Sequence, residues 1–118
     1  MVRRVLVFAA VALLLGVPAV SADKRSDARA QVEFGIAVAV KGLWAEAIYR
    51  WEKAVEIDPT YAAAFNDLAV AYERQGQLDK AKKAYDRAIE LDPKNTLIKQ
   101  NYDLFKEIND RAKGRNTR

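Results

Sequence analysis

Cysteine and histidine are both missing from this 118-residue chain. No disulfide can brace the fold and no lipid can be attached through a cysteine, so apolar packing alone must hold it together. Without histidine, the chain lacks the commonest general base and the commonest metal ligand. Nor does it contain a glycine-rich phosphate loop or an H-E-x-x-H element. The carboxylates Glu46, Glu52, Glu56, Asp86 and Glu90 stand among lysines and arginines, the pattern of a solvated helix face. An enzyme is therefore not expected, and neither is a cofactor or a metal.

Excess charge in the body of the chain is also lacking. The formal net charge of +4 comes from the two ends, where Arg3 and Arg4, then Arg111, Lys113, Arg115 and Arg118, are all basic. Setting those six aside leaves 20 − 6 = 14 basic residues against 16 acidic ones. A slightly acidic body predicts no nucleic-acid partner.

Only residues 5–15 form a long apolar run. They follow Arg3 and Arg4, and Gly16, Pro18 and the small-residue stretch Val20-Ser21-Ala22 close them off. This order predicts a secretory signal peptide over residues 1–22. The run is shorter than the roughly 20 residues a membrane-spanning helix needs. Export to a periplasm or the cell exterior is the expectation, with an uncleaved, membrane-anchoring signal as the alternative. Residues 23–27 read as a linker.

Glycine and proline are scarce, at five and three residues, so their positions are informative. Asp58-Pro59 and Asp92-Pro93 are 34 residues apart, and the same offset pairs Gly42 with Gly76, Ala47 with Ala81, Ala54 with Ala88 and Glu56 with Glu90. It also pairs Trp51 with Tyr85, Phe34 with Leu68 and Trp44 with Leu78, where residue type is kept. Within each unit the apolar residues follow three- and four-residue steps. Phe65, Leu68, Ala69 and Tyr72 mark a first helix that Gly76 ends. Leu78, Ala81, Tyr85, Ala88 and Ile89 mark a second, stopped by Asp92-Pro93. The earlier unit runs alike: Phe34, Gly35 and Val38 to Gly42, then Trp44, Ala47, Ile48, Trp51, Ala54 and Val55. Small residues at Gly35, Ala47, Ala54, Ala69, Ala81 and Ala88 permit close helix approach, with Trp51 and Tyr85 filling the space beside them.

These positions resemble the tetratricopeptide repeat family. Phe65, Leu68, Ala69, Tyr72, Ala81, Tyr85, Ala88 and Pro93 match its pattern in the second unit; Phe34, Gly35, Ala47, Trp51, Ala54 and Pro59 match it in the first. The first unit departs at Gln31, where the family has a large aromatic residue, and at Val38, where it has tyrosine. The implied fold is all-α: antiparallel helix-turn-helix repeats over residues 28–61 and 62–95, a capping helix over 96–112 and a basic tail over 113–118, together an α-solenoid. In the cap, Tyr102 stands where Leu68 does, and Leu104, Phe105 and Ile108 are expected to extend its apolar stripe.

Resemblance also implies a function, protein binding on the concave side lined by the first helix of each hairpin. With Phe34, Val38, Leu68 and Tyr72 packed inward, the groove would be lined by Val32, Ile36, Val40, Asn66, Val70, Glu73, Leu97 and Asn101, with Asp67 beside them. The family's carboxylate clamp needs lysine and asparagine on this face. The matching positions hold Val32, Ile36, Asp67, Leu97 and Asn101, so a clamp is not expected. What remains is an apolar groove with a polar end, suited to a hydrophobic or amphipathic segment of another protein. Self-association through the same face is the alternative partner, and a tether to membrane through the basic tail is a weaker one. Trp44 and Trp51 are expected to fill the core, and Tyr49 to lie exposed on the outer face.

Overall fold

The computed structural model describes residues 21–116, which form five α-helices and no strand. They are α1 (Ala22–Val40), α2 (Trp44–Ile57), α3 (Ala62–Arg74), α4 (Leu78–Leu91) and α5 (Thr96–Asn116). The expected signal segment lies outside the described residues except for Ser21 and Ala22. Helix α1 packs chiefly on α2 and α3 on α4, giving two antiparallel hairpins; α2 meets α3 between them, and α5 covers α4 and part of α3. This is an all-α helical repeat solenoid.

Both hairpin turns are set by one glycine each. Gly42 (φ 80°) and Gly76 (φ 72°) adopt the left-handed conformation that side chains resist. Gly42 N–H donates to the Ala39 carbonyl (2.8 Å) and Leu43 N–H to that of Val38 (3.0 Å). Gly76 and Gln77 repeat the arrangement onto Glu73 (3.0 Å) and Tyr72 (2.8 Å). Each pair satisfies carbonyls that the ending helix would otherwise leave open, a Schellman motif in both repeats.

The linker expected over residues 23–27 is helical and forms the opening turns of α1. Ser21 caps it, its hydroxyl accepting from Lys24 N–H at 3.3 Å. Arg25 explains why α1 starts ahead of the first repeat. Its guanidinium pairs with the fully buried Asp58 carboxylate, donates to Thr60 Oγ1 at 3.1 Å and lies over the Tyr61 ring. Asp58 in turn accepts from the backbone N–H (3.0 Å) and hydroxyl (2.6 Å) of Thr60. The start of α1 and the loop between hairpins are thus joined in one charged cluster. At the other end, residues 113–116 of the expected tail continue α5.

Alanine dominates the core: Ala28, Ala47, Ala54, Ala64, Ala69, Ala71, Ala81, Ala84 and Ala88 are buried. Such residues bring helices close but bury little area each, so the large side chains Trp51, Leu68, Tyr85, Ile98 and Phe105 supply most of the apolar burial. Trp51 presses its indole against Gly35, where a Cβ would fall 2.3 Å from Nε1. That approach lets Nε1–H donate to the Val32 carbonyl at 3.1 Å.

Phe34 was expected inside and is 47% exposed, with the Arg50 guanidinium over its ring at 4.1 Å. Its repeat counterpart Leu68 is buried because α3 has α2 on one side and α4 and α5 on the other. Helix α1 has no described helix before it, so the same face meets solvent. In α5, Ile98, Tyr102 and Phe105 form the inward stripe, whereas Leu104 and Ile108, expected to extend it, are exposed. The rings of Tyr85 and Tyr102 stack at 5.4 Å, and Phe105 lies 5.3 Å from Tyr85.

Hydroxyls tie successive helices together. Tyr72 on α3 donates to Glu52 on α2 (2.6 Å), Tyr85 on α4 to Glu73 on α3 (3.0 Å), and Tyr102 on α5 to Asp86 on α4. Glu52 and Asp86 are repeat equivalents, so the acceptor position recurs although the tyrosine donor shifts by one turn.

Candidate functional site: a concave groove

The first helix of each hairpin and the capping helix share one side of the solenoid, and a groove of about 420 Å³ runs along it. Ile36, Ala39 and Val40 of α1 form one wall, with Trp44 and Trp51 of α2 behind them. Asn66, Asp67 and Val70 of α3 form the floor, and Asn101 of α5 the far end. A second depression of about 370 Å³ adjoins it, lined by Val70, Glu73, Arg74, Tyr85, Asn101 and Leu104. Val70 and Asn101 belong to both.

Five of the residues expected from sequence therefore meet in the main groove: Ile36, Val40, Asn66, Val70 and Asn101. Glu73 lies in the adjoining depression, accepting from Tyr85. Val32 does not belong. It is buried at 6% exposure as a core residue, on the α1 face that also carries Ala28 and Gly35. Leu97 is 60% exposed and lines neither depression. Sequence reasoning missed Ala39, Trp44 and Trp51 as lining residues of the groove, and Arg74, Tyr85 and Leu104 as those of the adjoining depression. Gly35 was the signal for Trp51: a glycine in mid-helix, opposite an indole, lets the ring come close enough to serve core and groove at once. Trp44 is only partly buried, and the Arg74 guanidinium covers its ring at 4.4 Å. Tyr49 is half exposed on α2, as expected, beside Arg50 and Lys53.

The groove is apolar with one polar end. Asn101 Nδ2 donates to Asn66 Oδ1 at 3.1 Å, which fixes both amides and leaves Asn66 Nδ2 and Asn101 Oδ1 for other partners. Next to them, burial pushes the Asp67 carboxyl up to about 6. Among the described residues none donates to this carboxylate or pairs with it. Ile36 and Val40 are 47% and 83% exposed on the opposite wall. No group of three or more potential metal-ligating side chains occurs among the described residues, and none of the described helices is long and apolar enough to cross a membrane.

Residues 62–95, which hold α3, α4 and the loop after them, match the family described as Tetratricopeptide repeat; residues 40–76 match a second family described as TPR repeat. The repeat is a tetratricopeptide repeat.

Curated relatives align over the same kind of short stretch. Protein O-mannosyl-transferase TMTC4 of Mus musculus is 43% identical over 54 residues, 46% of this chain and 7% of that protein. Tetratricopeptide repeat domain-containing protein PYG7, chloroplastic, of Arabidopsis thaliana is 33% identical over 60 residues, 51% of this chain and 20% of the relative. Uncharacterized protein ycf37 of Pyropia yezoensis is 36% identical over 55 residues, 47% of this chain and 31% of the relative. The chain thus spans less than a third of each of these relatives. Mannosyl transfer is the activity named for the mouse protein, and a match over 7% of its length does not bring that activity to this one.

Proposed function

We propose that this chain is a non-enzymatic interaction scaffold or accessory subunit whose concave groove holds a hydrophobic or amphipathic segment of a partner protein. The observation that carries the proposal is that Ile36 and Val40, apolar and exposed, line one groove with Val70. Neither wall residue belongs to the buried core, so their apolar character serves no packing within the described chain. Export is part of the proposal and rests on the basic and apolar order of residues 3–22; the scaffold would act in a periplasm or outside the cell.

Affinity capture from an envelope extract tests this, comparing the full chain with its Ile36→Lys/Val40→Lys variant. Both positions are exposed, so the variant should keep its helicity and melting temperature. Loss of the captured protein from the variant alone is the expected result. Light scattering on the same two proteins reads the second possibility, pairing of two copies through this face. Unchanged capture together with an unchanged oligomeric state would remove the groove from both roles.

A further inference from the structure

A lone carboxylate on the floor of an apolar groove has a chemical consequence for what the groove accepts. The side chains that line the groove together with Asp67 are Ile36, Ala39 and Val40 from α1, Trp44 and Trp51 from α2, Asn66 and Val70 from α3, and Asn101 from α5. None of them titrates or carries charge. The nearest charged lining residues belong to the adjoining depression: Glu73, which accepts from Tyr85, and Arg74, which covers Trp44. Asp67 therefore has no cation of its own among the described residues, whereas the fully buried Asp58 carboxylate is paired with Arg25. A half-buried anion without a counter-charge is unfavourable for the free protein and favourable for a ligand that brings the missing charge.

We infer that the groove selects an apolar segment carrying a lysine or arginine, whose cation pairs with Asp67 while its aliphatic neighbours lie along Ile36, Val40 and Val70. This rests on the groove being the binding face. The stem of a lysine or arginine suits the site, since its methylenes can follow the apolar wall while the head reaches the carboxylate. Asn66 and Asn101, held by one mutual hydrogen bond, keep one donor and one acceptor for the segment's backbone. An acidic or C-terminal carboxylate ligand is excluded by the same charge, opposite to a basic clamp. Burial already pushes Asp67 up to about 6, so cation selection weakens as pH falls from 7 to 5 and the carboxyl takes up its proton.

The test is selection from a random-sequence peptide display library against three full-length immobilised proteins: the parent chain, Asp67→Asn and Ile36→Lys/Val40→Lys. Circular dichroism first establishes equal helicity. The parent should enrich aliphatic peptides containing lysine or arginine, and a synthetic copy of one winner should bind at least about tenfold more tightly than its lysine-to-glutamine analogue. Asp67→Asn should still enrich aliphatic peptides, with the basic preference and the tenfold ratio gone. If the parent shows no basic preference, or Asp67→Asn keeps it, the charge selection is wrong while the groove stands. If no peptide is recovered, or those recovered bind Ile36→Lys/Val40→Lys equally, the groove is not the binding face and both readings fall. Pairing of two copies would appear as the first of these, with a dimer in light scattering.

Discussion

Gly35 is the residue on which the packing of the first hairpin depends. Alanine has the better helix propensity by about 1 kcal/mol, so by local preference Gly35→Ala would stabilise α1. The added Cβ, however, would sit 2.3 Å from Trp51 Nε1 and 2.7 Å from Cδ1, against a ring that has no flexible end to move. Overpacking of this kind costs about 1–3 kcal/mol and would also break the bond to the Val32 carbonyl, so the clash wins. A lower urea midpoint and a shift in tryptophan emission are the expected readouts. Gln31 offers a gain at the same scale: its Oε1 is buried without a donor, and leaving such an acceptor unmet costs about 1–3 kcal/mol. Gln31→Leu should accordingly raise the thermal midpoint. Asp67 is the pH-dependent case. Its carboxyl holds the proton more tightly in the folded state than in the unfolded chain between pH 3.8 and about 6. Its contribution to stability therefore falls as pH rises through that window and stays low above it. Asp67→Asn removes this decline; it should exceed the parent in stability at pH 7 by up to about 3 kcal/mol and match it near pH 4, as read by urea titration at both values.

At the scale of elements, the two hairpins were legible because their boundaries rest on backbone chemistry. Gly42 and Gly76 take a conformation other residues resist, and Asp-Pro closes each second helix, so a 34-residue offset in sequence becomes a structural offset directly. The faces of the terminal helices were not legible in the same way. Repeat equivalence equates Phe34 with Leu68, yet burial depends on neighbours, and among the described residues α1 lacks the preceding helix that α3 has. Val32 escaped for a related reason: its carbonyl accepts from Trp51, whose indole comes this close because position 35 is a glycine. The onset of α1 was missed because Arg25 and Asp58 lie 33 positions apart and signal nothing locally. Helix α5 depends on its inner stripe, above all on Phe105 against Tyr85 and Tyr102. Phe105→Ala should cost about 3–5 kcal/mol and should open α5 first, visible as faster amide exchange in residues 96–112 than in α1 and α2.

For the whole molecule, repetition produces the groove: α1, α3 and α5 come to one side because each hairpin adds the same displacement. The family resemblance and the helix phase together placed Ile36, Val40, Asn66, Val70 and Asn101 on that side. Trp44 and Trp51 reach it from α2 through packing between helices, which phase does not encode. The groove, then, has walls drawn from two kinds of position, exposed ones free to contact a partner and core ones that hold its shape. Substituting p-benzoylphenylalanine at Val40, and separately at Tyr49 on the outer face, reports directly which side a partner occupies. After irradiation in an envelope extract, a discrete crosslinked product from the Val40 position, absent from the Tyr49 position, is the predicted result. A product from Tyr49 with none from Val40 would contradict the concave groove as the binding face.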